Sequence, residues 1–240
     1  FATLLTGTIK TLLRDHDVYV TDWLNIRDIP LSCGEFDFDS YVEHIINFLK
    51  VIGPKTHLMG VCQPTVACLA AAAIMSEDKS PDVPASLTLM AGPIDVSQSP
   101  TKVNELATSK PISWFEEKLI GIIPNQFNGV GRKVYPGFLQ LMAFMSMNPD
   151  RHAESFRKLY DYRVSGETEK ADAIHDFYEE YFAIMDLSAP FYLETIQKVF
   201  MDRDLAMGKL TYQGRPVNPK LIKKTFLLTV EGERDDICGI

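Results

Sequence analysis

The chain has 240 residues, a formal net charge of -8 at pH 7 and a hydrophobic content of 46%. This length suits one α/β domain with a helical insertion, and the composition is typical of a soluble globular protein. The negative charge argues against nucleic acid as a partner and against electrostatic binding to anionic lipid, and no apolar run is long enough to span a membrane.

The segments before residue 97 alternate between helix and strand. Helical segments are predicted where apolar residues recur at helical spacing, and strands where β-branched and aromatic residues cluster. The helices are residues 1–14 and 38–52, and the strands are residues 17–23, 56–61 and 85–91. This alternation predicts a mostly parallel sheet with helices on its faces.

A sharp turn follows the strand at residues 56–61 and leads into a helix. The turn, Gly60-Val61-Cys62-Gln63-Pro64, has the pattern of a nucleophile elbow with cysteine as the nucleophile and proline replacing the last glycine. Gly60 lets strand and helix approach closely, and Pro64 suits the first helical turn. The Gln63 N–H is expected to face the oxyanion that forms when Cys62 attacks a carbonyl. From spacing alone, a buried structural role for Cys62 is an equal alternative.

The hydrophobic period changes at about residue 97, and from there to about residue 208 we predict helices and no strand. Aromatic and methionine side chains crowd this region. They can form the core of a helical subdomain or the apolar face of a lid over a substrate, and the two roles are compatible. We therefore predict a core at residues 1–96, a helical cap at residues 97–208 and a return to the core at residues 209–240.

The sheet is predicted to resume at residues 225–230, where an acidic loop follows the strand. A carboxylate after a late strand is the acid of a triad whose chain order is nucleophile, acid, histidine. Asp235 and Asp236 are the candidates, and an ordinary acidic turn is the alternative. The cysteines have neither metal-ligand nor paired spacing, which favours a reducing compartment and predicts no metal site. They are Cys33, Cys62, Cys68 and Cys238.

Several blocks of sequence combine with this elbow into one pattern. They are residues 17–23, Val61-Cys62-Gln63-Pro64, Gly92-Pro93-Ile94-Asp95, residues 135–140, residues 144–148 and residues 230–236. Together they resemble the intracellular polyhydroxybutyrate depolymerases, and the resemblance runs over essentially the whole chain. Pro64 favours this family over the similar polyhydroxyalkanoate synthases, which keep a glycine two residues after the cysteine.

The resemblance implies an α/β-hydrolase fold with an inserted helical cap and a Cys-Asp-His triad. Cys62 matches the nucleophile, and Asp235 matches the acid of the family loop Gly-x-x-Asp-x-Ile, with Asp236 as its competitor. The implied substrate is poly(3-hydroxybutyrate) in cytoplasmic storage granules. The implied partners are the granule surface and hydroxybutyrate oligomers, without a metal or cofactor. The oligomeric state, the acyl acceptor and the side-chain length preference stay open.

The triad histidine is the member that the sequence does not supply. It should follow the acid, so we expect it after Ile240, and we assign the role to no histidine that precedes Asp235. These are His16, His44, His57, His152 and His175. Because Phe1 already lies within an amphipathic pattern, we expect a fragment that lacks both ends of its parent and is inactive by itself.

Two other functions are alternatives to a depolymerase. A polyhydroxyalkanoate synthase-like acyltransferase would employ Cys62 with a hydroxyacyl thioester as its donor. A non-catalytic granule-associated protein would keep the fold without catalysis, although such a protein has no need for Gly60, Cys62 and Asp235.

Overall fold

The computed structural model describes residues 5–233 together with Asp235 and Cys238. These residues form a mixed α/β protein that divides into two compact units. The first, which we call the elbow unit, consists of Gly34–Ile120 and Ser188–Ile240. The second, which we call the hairpin unit, consists of Phe1–Cys33 and Gly121–Leu187.

The elements are numbered in chain order. The α-helices are α1 (Thr6–Leu12), α2 (Phe38–Ile52), α3 (Thr65–Glu77), α4 (Lys102–Ser109), α5 (Ile112–Leu119), α6 (Gly137–Met147), α7 (Pro149–Ser165), α8 (Thr168–Phe182) and α9 (Ala189–Thr195). The strands are β1 (His57–Val61), β2 (Ser86–Met90), β3 (Gly121–Ile122), β4 (Lys133–Tyr135), β5 (Leu187–Ser188), β6 (Thr211–Tyr212), β7 (Arg215–Pro216) and β8 (Phe226–Val230). Short 3-10 helices cover Ile26–Asp28, Leu31–Cys33 and Pro219–Leu221, and a π-helix covers Ile196–Met201.

A parallel sheet with the strand order β1-β2-β8 lies in the elbow unit. Its register aligns Val61 with Met90 and Met90 with Val230. The three strands therefore end at the same edge of the sheet, and the segments that follow them are brought together there. In open parallel sheets this carboxyl edge is where ligands bind. The predicted parallel sheet is confirmed.

Helix α3 is the most deeply buried element of the elbow unit. Ala70, Ala71, Ala72 and Ala73 are at most 1% exposed, and the helix packs against β1, β2 and α2. Alanine side chains let the helix axis lie close to the sheet, because little side-chain volume separates the two backbones. The helix α2 adds a larger apolar face to this core, through Phe38, Val42, Ile45, Ile46 and Leu49.

The hairpin unit contains the consecutive helices α7 and α8. Gly166 ends α7 in the left-handed conformation, with φ 78°, which glycine adopts without a Cβ penalty. Aromatic rings hold the two helices together: Phe156 stacks on Tyr178 with ring centroids 4.4 Å apart. His152 Nδ1 lies 2.9 Å from the Tyr178 hydroxyl. Several aromatics of the predicted cap are therefore packing residues of a helical pair.

Two sequence predictions fail in detail. Residues 17–23 form no strand; Tyr19 and Val20 are exposed, and none of the strands in the described part of the chain pairs with them. High β-propensity does not make a strand without a neighbouring ladder. In the region predicted to be only helical, β3, β4 and β5 form a small sheet. These strands have two or three residues, too few for a period to appear in the sequence.

The predicted cap at residues 97–208 does not coincide with one compact unit. Its residues 121–187 belong to the hairpin unit, whereas residues 97–120 and 188–208 belong to the elbow unit. None of the described helices is long and apolar enough to cross a membrane.

Candidate active site at the carboxyl edge of the sheet

Cys62 is the first residue after β1, and its backbone is strained. Its φ is 66°, in the left-handed region that glycine favours. Its N–H donates to the Met90 carbonyl at 2.7 Å, which extends the ladder between β1 and β2 by one hydrogen bond. Such a conformation costs a residue with a Cβ about 1 to 3 kcal/mol and occurs preferentially at functional sites. A sharp, strained strand-to-helix turn is the geometry of a nucleophile elbow.

The start of α3 fixes the carbonyl of Cys62. Thr65 donates to that oxygen twice, from its N–H at 3.1 Å and from its hydroxyl at 2.8 Å. Pro64 stands immediately before α3 with φ -65°, and its carbonyl accepts the first helical hydrogen bond, from the Cys68 N–H at 2.8 Å. The peptide after Cys62 is therefore held in one orientation.

Two glycines allow the turn to pack against its neighbours. A Cβ on Gly60 would lie 3.0 Å from the Cys68 sulfur and 3.3 Å from the Thr65 Cα. A Cβ on Gly92, two residues after β2, would lie 2.0 Å from the Thr65 hydroxyl oxygen. Thr65 is fully buried. Close approach to the helix that follows Cys62 therefore requires glycine at position 92, and a Cβ at position 60 would need its neighbours to shift by a few tenths of an ångström.

The Cys62 side chain is exposed, and its sulfur has two hydrogen-bond donors. The Cys238 sulfur lies 3.6 Å away, and the Gln63 backbone N–H faces the Cys62 sulfur as well. The thiol of Cys238 makes the largest contribution to lowering the pKa of Cys62 to about 7, and the Gln63 N–H lowers it further. Burial and the Asp235 carboxylate oppose them. Cys62 is therefore substantially a thiolate near neutral pH, which is the nucleophilic form.

The loop after β8 brings Asp235 to the same edge. The Asp235 N–H donates to the Gly232 carbonyl at 3.0 Å, which closes a turn, and Asp235 Oδ1 accepts the Cys238 N–H at 2.9 Å. Because Cys238 also contacts the Cys62 sulfur, the predicted nucleophile and the predicted acid share a neighbour. Asp236 lies outside the described residues, so its competition with Asp235 stays undecided.

Neither histidine of the elbow unit is placed beside the Cys62 sulfur. His57 begins β1, at the opposite end of the strand from the turn, about 16 Å from Cys62 at the usual rise per residue. His44 lies on α2, where its Nδ1 is 2.7 Å from the Ser40 carbonyl and its ring packs against Phe36 and Phe48.

Sequence reasoning did not identify Cys238 as part of this site. Cysteine spacing carried no signal, because Cys62 and Cys238 are 176 residues apart. The strand order β1-β2-β8 is a signal that could have placed Cys238 there, because residues shortly after β8 lie at the edge at which β1 ends. Within the described part of the chain, no cluster of histidine, cysteine and acidic side chains could hold a metal ion.

The hairpin unit has an open cavity of its own, with a volume of about 740 Å³. Its apolar wall includes Trp23, Leu141, Phe182 and Phe138, and the last of these is 64% exposed. Asp186 also lines the cavity and accepts the Gly137 N–H at 2.7 Å. Phe138 and Phe144, both within the predicted cap, are exposed.

Comparison with known proteins identifies a family. A search of curated proteins gives no match to the chain. The model of the family described as "PHB de-polymerase C-terminus" matches residues 91–240, which is more than half of the sequence. This range begins directly after β2 and contains the residues of the hairpin unit from Gly121 onward, and β8 with the loop that carries Asp235. The chain therefore belongs to the PHB depolymerase family.

Proposed function

We propose that the protein is an intracellular depolymerase that cleaves the ester bonds of amorphous poly(3-hydroxybutyrate) at the surface of storage granules, through an acyl-enzyme on Cys62. The observation that carries the proposal is the strained turn at Cys62, whose exposed sulfur faces the Gln63 N–H and lies near Asp235. Family membership supports the substrate class. A parallel sheet with a nucleophile at its carboxyl edge also supports an α/β-hydrolase fold.

In the first step, the Cys62 thiolate attacks the carbonyl carbon of the ester. The negative charge that develops on the carbonyl oxygen needs hydrogen-bond donors in place beforehand. We assign the Gln63 N–H to this role, because it already faces the sulfur that makes the attack. The alkoxide leaves when the tetrahedral intermediate collapses to a thioester, and it takes a proton from the general acid.

The general acid and base of this mechanism is the histidine that the family resemblance predicts after Asp235. The Asp235 carboxylate would orient that imidazole and stabilise its protonated form. In the second step, the histidine removes a proton from water, which attacks the thioester carbonyl and releases a hydroxybutyrate oligomer with the Cys62 thiol. Without the histidine, the thiolate fraction of Cys62 supports acylation, and deacylation by water lacks its base.

The predicted cap at residues 97–208 is proposed to hold the polymer. The open cavity of the hairpin unit supports this role, because a wall of aromatic and aliphatic side chains suits the methyl-bearing backbone of a polyester. The predicted core regions, residues 1–96 and 209–240, are proposed to supply the nucleophile and the acid.

The test compares Cys62→Ala with Cys33→Ala, since Cys33 is also an exposed free cysteine. In a protein that carries this chain with the predicted histidine, Cys62→Ala should reduce release of 3-hydroxybutyrate from amorphous granules by several orders of magnitude. Cys33→Ala should leave release unchanged. In the chain itself, an activated 3-hydroxybutyrate ester should add one hydroxybutyryl group to Cys62, found by peptide mass.

Each contrary result points to a defined alternative. Ample release by Cys62→Ala would remove Cys62 as the nucleophile. Chain growth from a hydroxybutyryl thioester, with no release from polymer, would indicate a synthase-like acyltransferase. Granule binding with neither reaction would indicate a non-catalytic granule-associated protein.

A further inference from the structure

We infer that Cys62 and Cys238 form a peroxide-sensitive thiol pair, in which Cys238 captures the oxidised Cys62 as a disulfide. The two sulfurs are 3.6 Å apart, whereas a disulfide bond is about 2.05 Å long, so side-chain rotations of modest size would join them. Cys62 is exposed and Cys238 is half-buried, so a small oxidant reaches the first. Redox-sensing cysteines are typically accessible thiolates beside a resolving cysteine.

The chemistry balances with hydrogen peroxide as the oxidant. The Cys62 thiolate attacks one peroxide oxygen, the O–O bond breaks, and the products are a sulfenic acid on Cys62 and hydroxide. The Cys238 sulfur then attacks the Cys62 sulfur, an S–S bond forms, and the sulfenic oxygen leaves as water with the thiol proton. Two thiols are oxidised to one disulfide, and one peroxide is reduced to two molecules of water.

The surroundings assign the two cysteines different roles. The hydrogen bond to the Cys62 thiolate raises the pKa of Cys238, so the proton stays on Cys238 and Cys62 is oxidised first. Oxidation converts the Cys62 thiolate into a neutral sulfenic acid, which removes the interaction that raised the pKa of Cys238. The second thiol therefore becomes able to react only after the first has been oxidised.

The other two cysteines provide an internal comparison. Cys68 is buried in α3, and burial raises its pKa to about 12, so it stays a thiol that peroxide does not reach. Cys33 is exposed but belongs to the hairpin unit, where none of the described cysteines accompanies it. Accessibility and a second thiol are combined at Cys62.

A disulfide at Cys62 would occupy the sulfur that attacks the ester. The bond needs only the two thiols, whereas its effect on hydrolysis rests on the proposed function. Reduction by a dithiol would restore the nucleophile, while oxidation beyond the sulfenic acid would be irreversible. Cys238 would therefore protect Cys62 from permanent damage and switch the enzyme off during oxidation.

The experiment treats the protein with increasing hydrogen peroxide, digests it without reductant and maps the peptides by mass spectrometry. We expect a linked Cys62–Cys238 peptide in the parent and in Cys33→Ser, which disappears after dithiothreitol. In Cys238→Ser, Cys62 should instead accumulate as sulfinic acid that dithiothreitol does not reverse. An unfolding midpoint like that of the parent would show that Cys238→Ser is folded. The linked peptide expected in the parent and in Cys33→Ser tests the pair independently of Cys238→Ser.

The pair is refuted if the parent forms no linked peptide while its Cys62 proceeds to sulfinic acid as fast as in Cys238→Ser. The two proposals fail separately. In a protein that carries this chain with the predicted histidine, a linked peptide together with unimpaired hydrolysis after oxidation would overturn the role of Cys62 as nucleophile and leave the thiol pair intact. Loss of hydrolysis in Cys62→Ala, combined with no linked peptide in the oxidised parent, would overturn the thiol pair and leave the role of Cys62 as nucleophile intact.

Discussion

The reactivity of Cys62 should depend on Cys238, and Cys238→Ala measures that dependence. The thiol of Cys238 is the largest cause that lowers the pKa of Cys62 from 9.0 to about 7. Removing it leaves burial, which raises the pKa by more than the Gln63 N–H lowers it, and the nearby Asp235 carboxylate, which raises it as well. The pKa of Cys62 in the variant should therefore rise to at least its ordinary value.

The size of the effect follows from the thiolate fraction. At pH 7 about half of Cys62 is thiolate when its pKa is about 7, and about 1% is thiolate when its pKa is 9.0. This lowers the reactive fraction about fifty-fold. A thiolate of higher pKa is intrinsically more nucleophilic, by about eight-fold over this interval at a Brønsted coefficient of ~0.45. Cys62 in the Cys238→Ala variant should therefore react about six-fold more slowly than Cys62 in the parent at pH 7.

The same numbers predict that the two pH profiles cross. Above about pH 9 both proteins are largely thiolate, and the variant should then be the faster one by up to about eight-fold, with the crossing near pH 8. The assay is the initial rate at which Cys62 attacks a pyridyl disulfide between pH 5 and 10, located by peptide mapping. Cys33 in the same sample is the internal control. Coincident profiles for parent and variant would refute the hydrogen bond as the source of the low pKa.

Four further results are expected. Asp235→Asn should raise the reactivity of Cys62 below pH 7, because the carboxylate raises the Cys62 pKa. The same change should lower polymer hydrolysis far more than Asp236→Asn does, and the reverse ranking would assign Asp236 as the acid. Gly92→Ala should lower the free energy of unfolding by about 1 to 3 kcal/mol in urea titration, whereas Gly7→Ala should not, because a Cβ at position 7 meets nothing within 4 Å. Equal stabilities of the two variants would contradict the close packing of Gly92 on Thr65. Phe138→Ala should weaken binding to granules more than it slows hydrolysis of a small soluble ester, and the control is Tyr160→Ala, at a residue that is 67% exposed and lies outside the cavity. Equal losses on both substrates with a lower melting temperature would make Phe138 a packing residue. Residues 1–240 should release no hydroxybutyrate from granules, and release that Cys62→Ala abolishes would mean that an upstream histidine serves as base.

The elements that the sequence predicted well are those with a long, one-sided pattern. The helix α2 spans the predicted residues 38–52, because its apolar residues recur on one face for four turns. The strands β1, β2 and β8 were predicted from short apolar runs bounded by Gly53-Pro54, Gly92-Pro93 and the acidic loop after Val230. For α2 and β2 the local pattern and the tertiary environment agree, whereas all five residues of β8 are exposed.

The failures arise where structure depends on distant partners. Residues 17–23 have strand-like composition, but a strand exists only when another strand completes its ladder. β3 and β4 pair antiparallel over Gly121–Ile122 and Lys133–Tyr135, a match that no local period announces. The contact between the sulfurs of Cys62 and Cys238 is a third example, since 176 residues separate the two side chains.

The conformation of the elbow indicates that Cys62 is explained by its chemistry and not by a structural need for cysteine. At φ 66° a glycine would avoid the strain that Cys62 bears, and the sharp turn itself would be equally well formed by it. Packing does not call for cysteine either, because the side chain is exposed. By contrast, Gly60 and Gly92 are explained by contacts with the Cys68 sulfur and the Thr65 side chain. The thiol of Cys62 is thus held in a costly conformation, with the Gln63 N–H and the Cys238 thiol facing its sulfur, and the sulfur's reactivity is the property of this side chain that the turn presents to solvent.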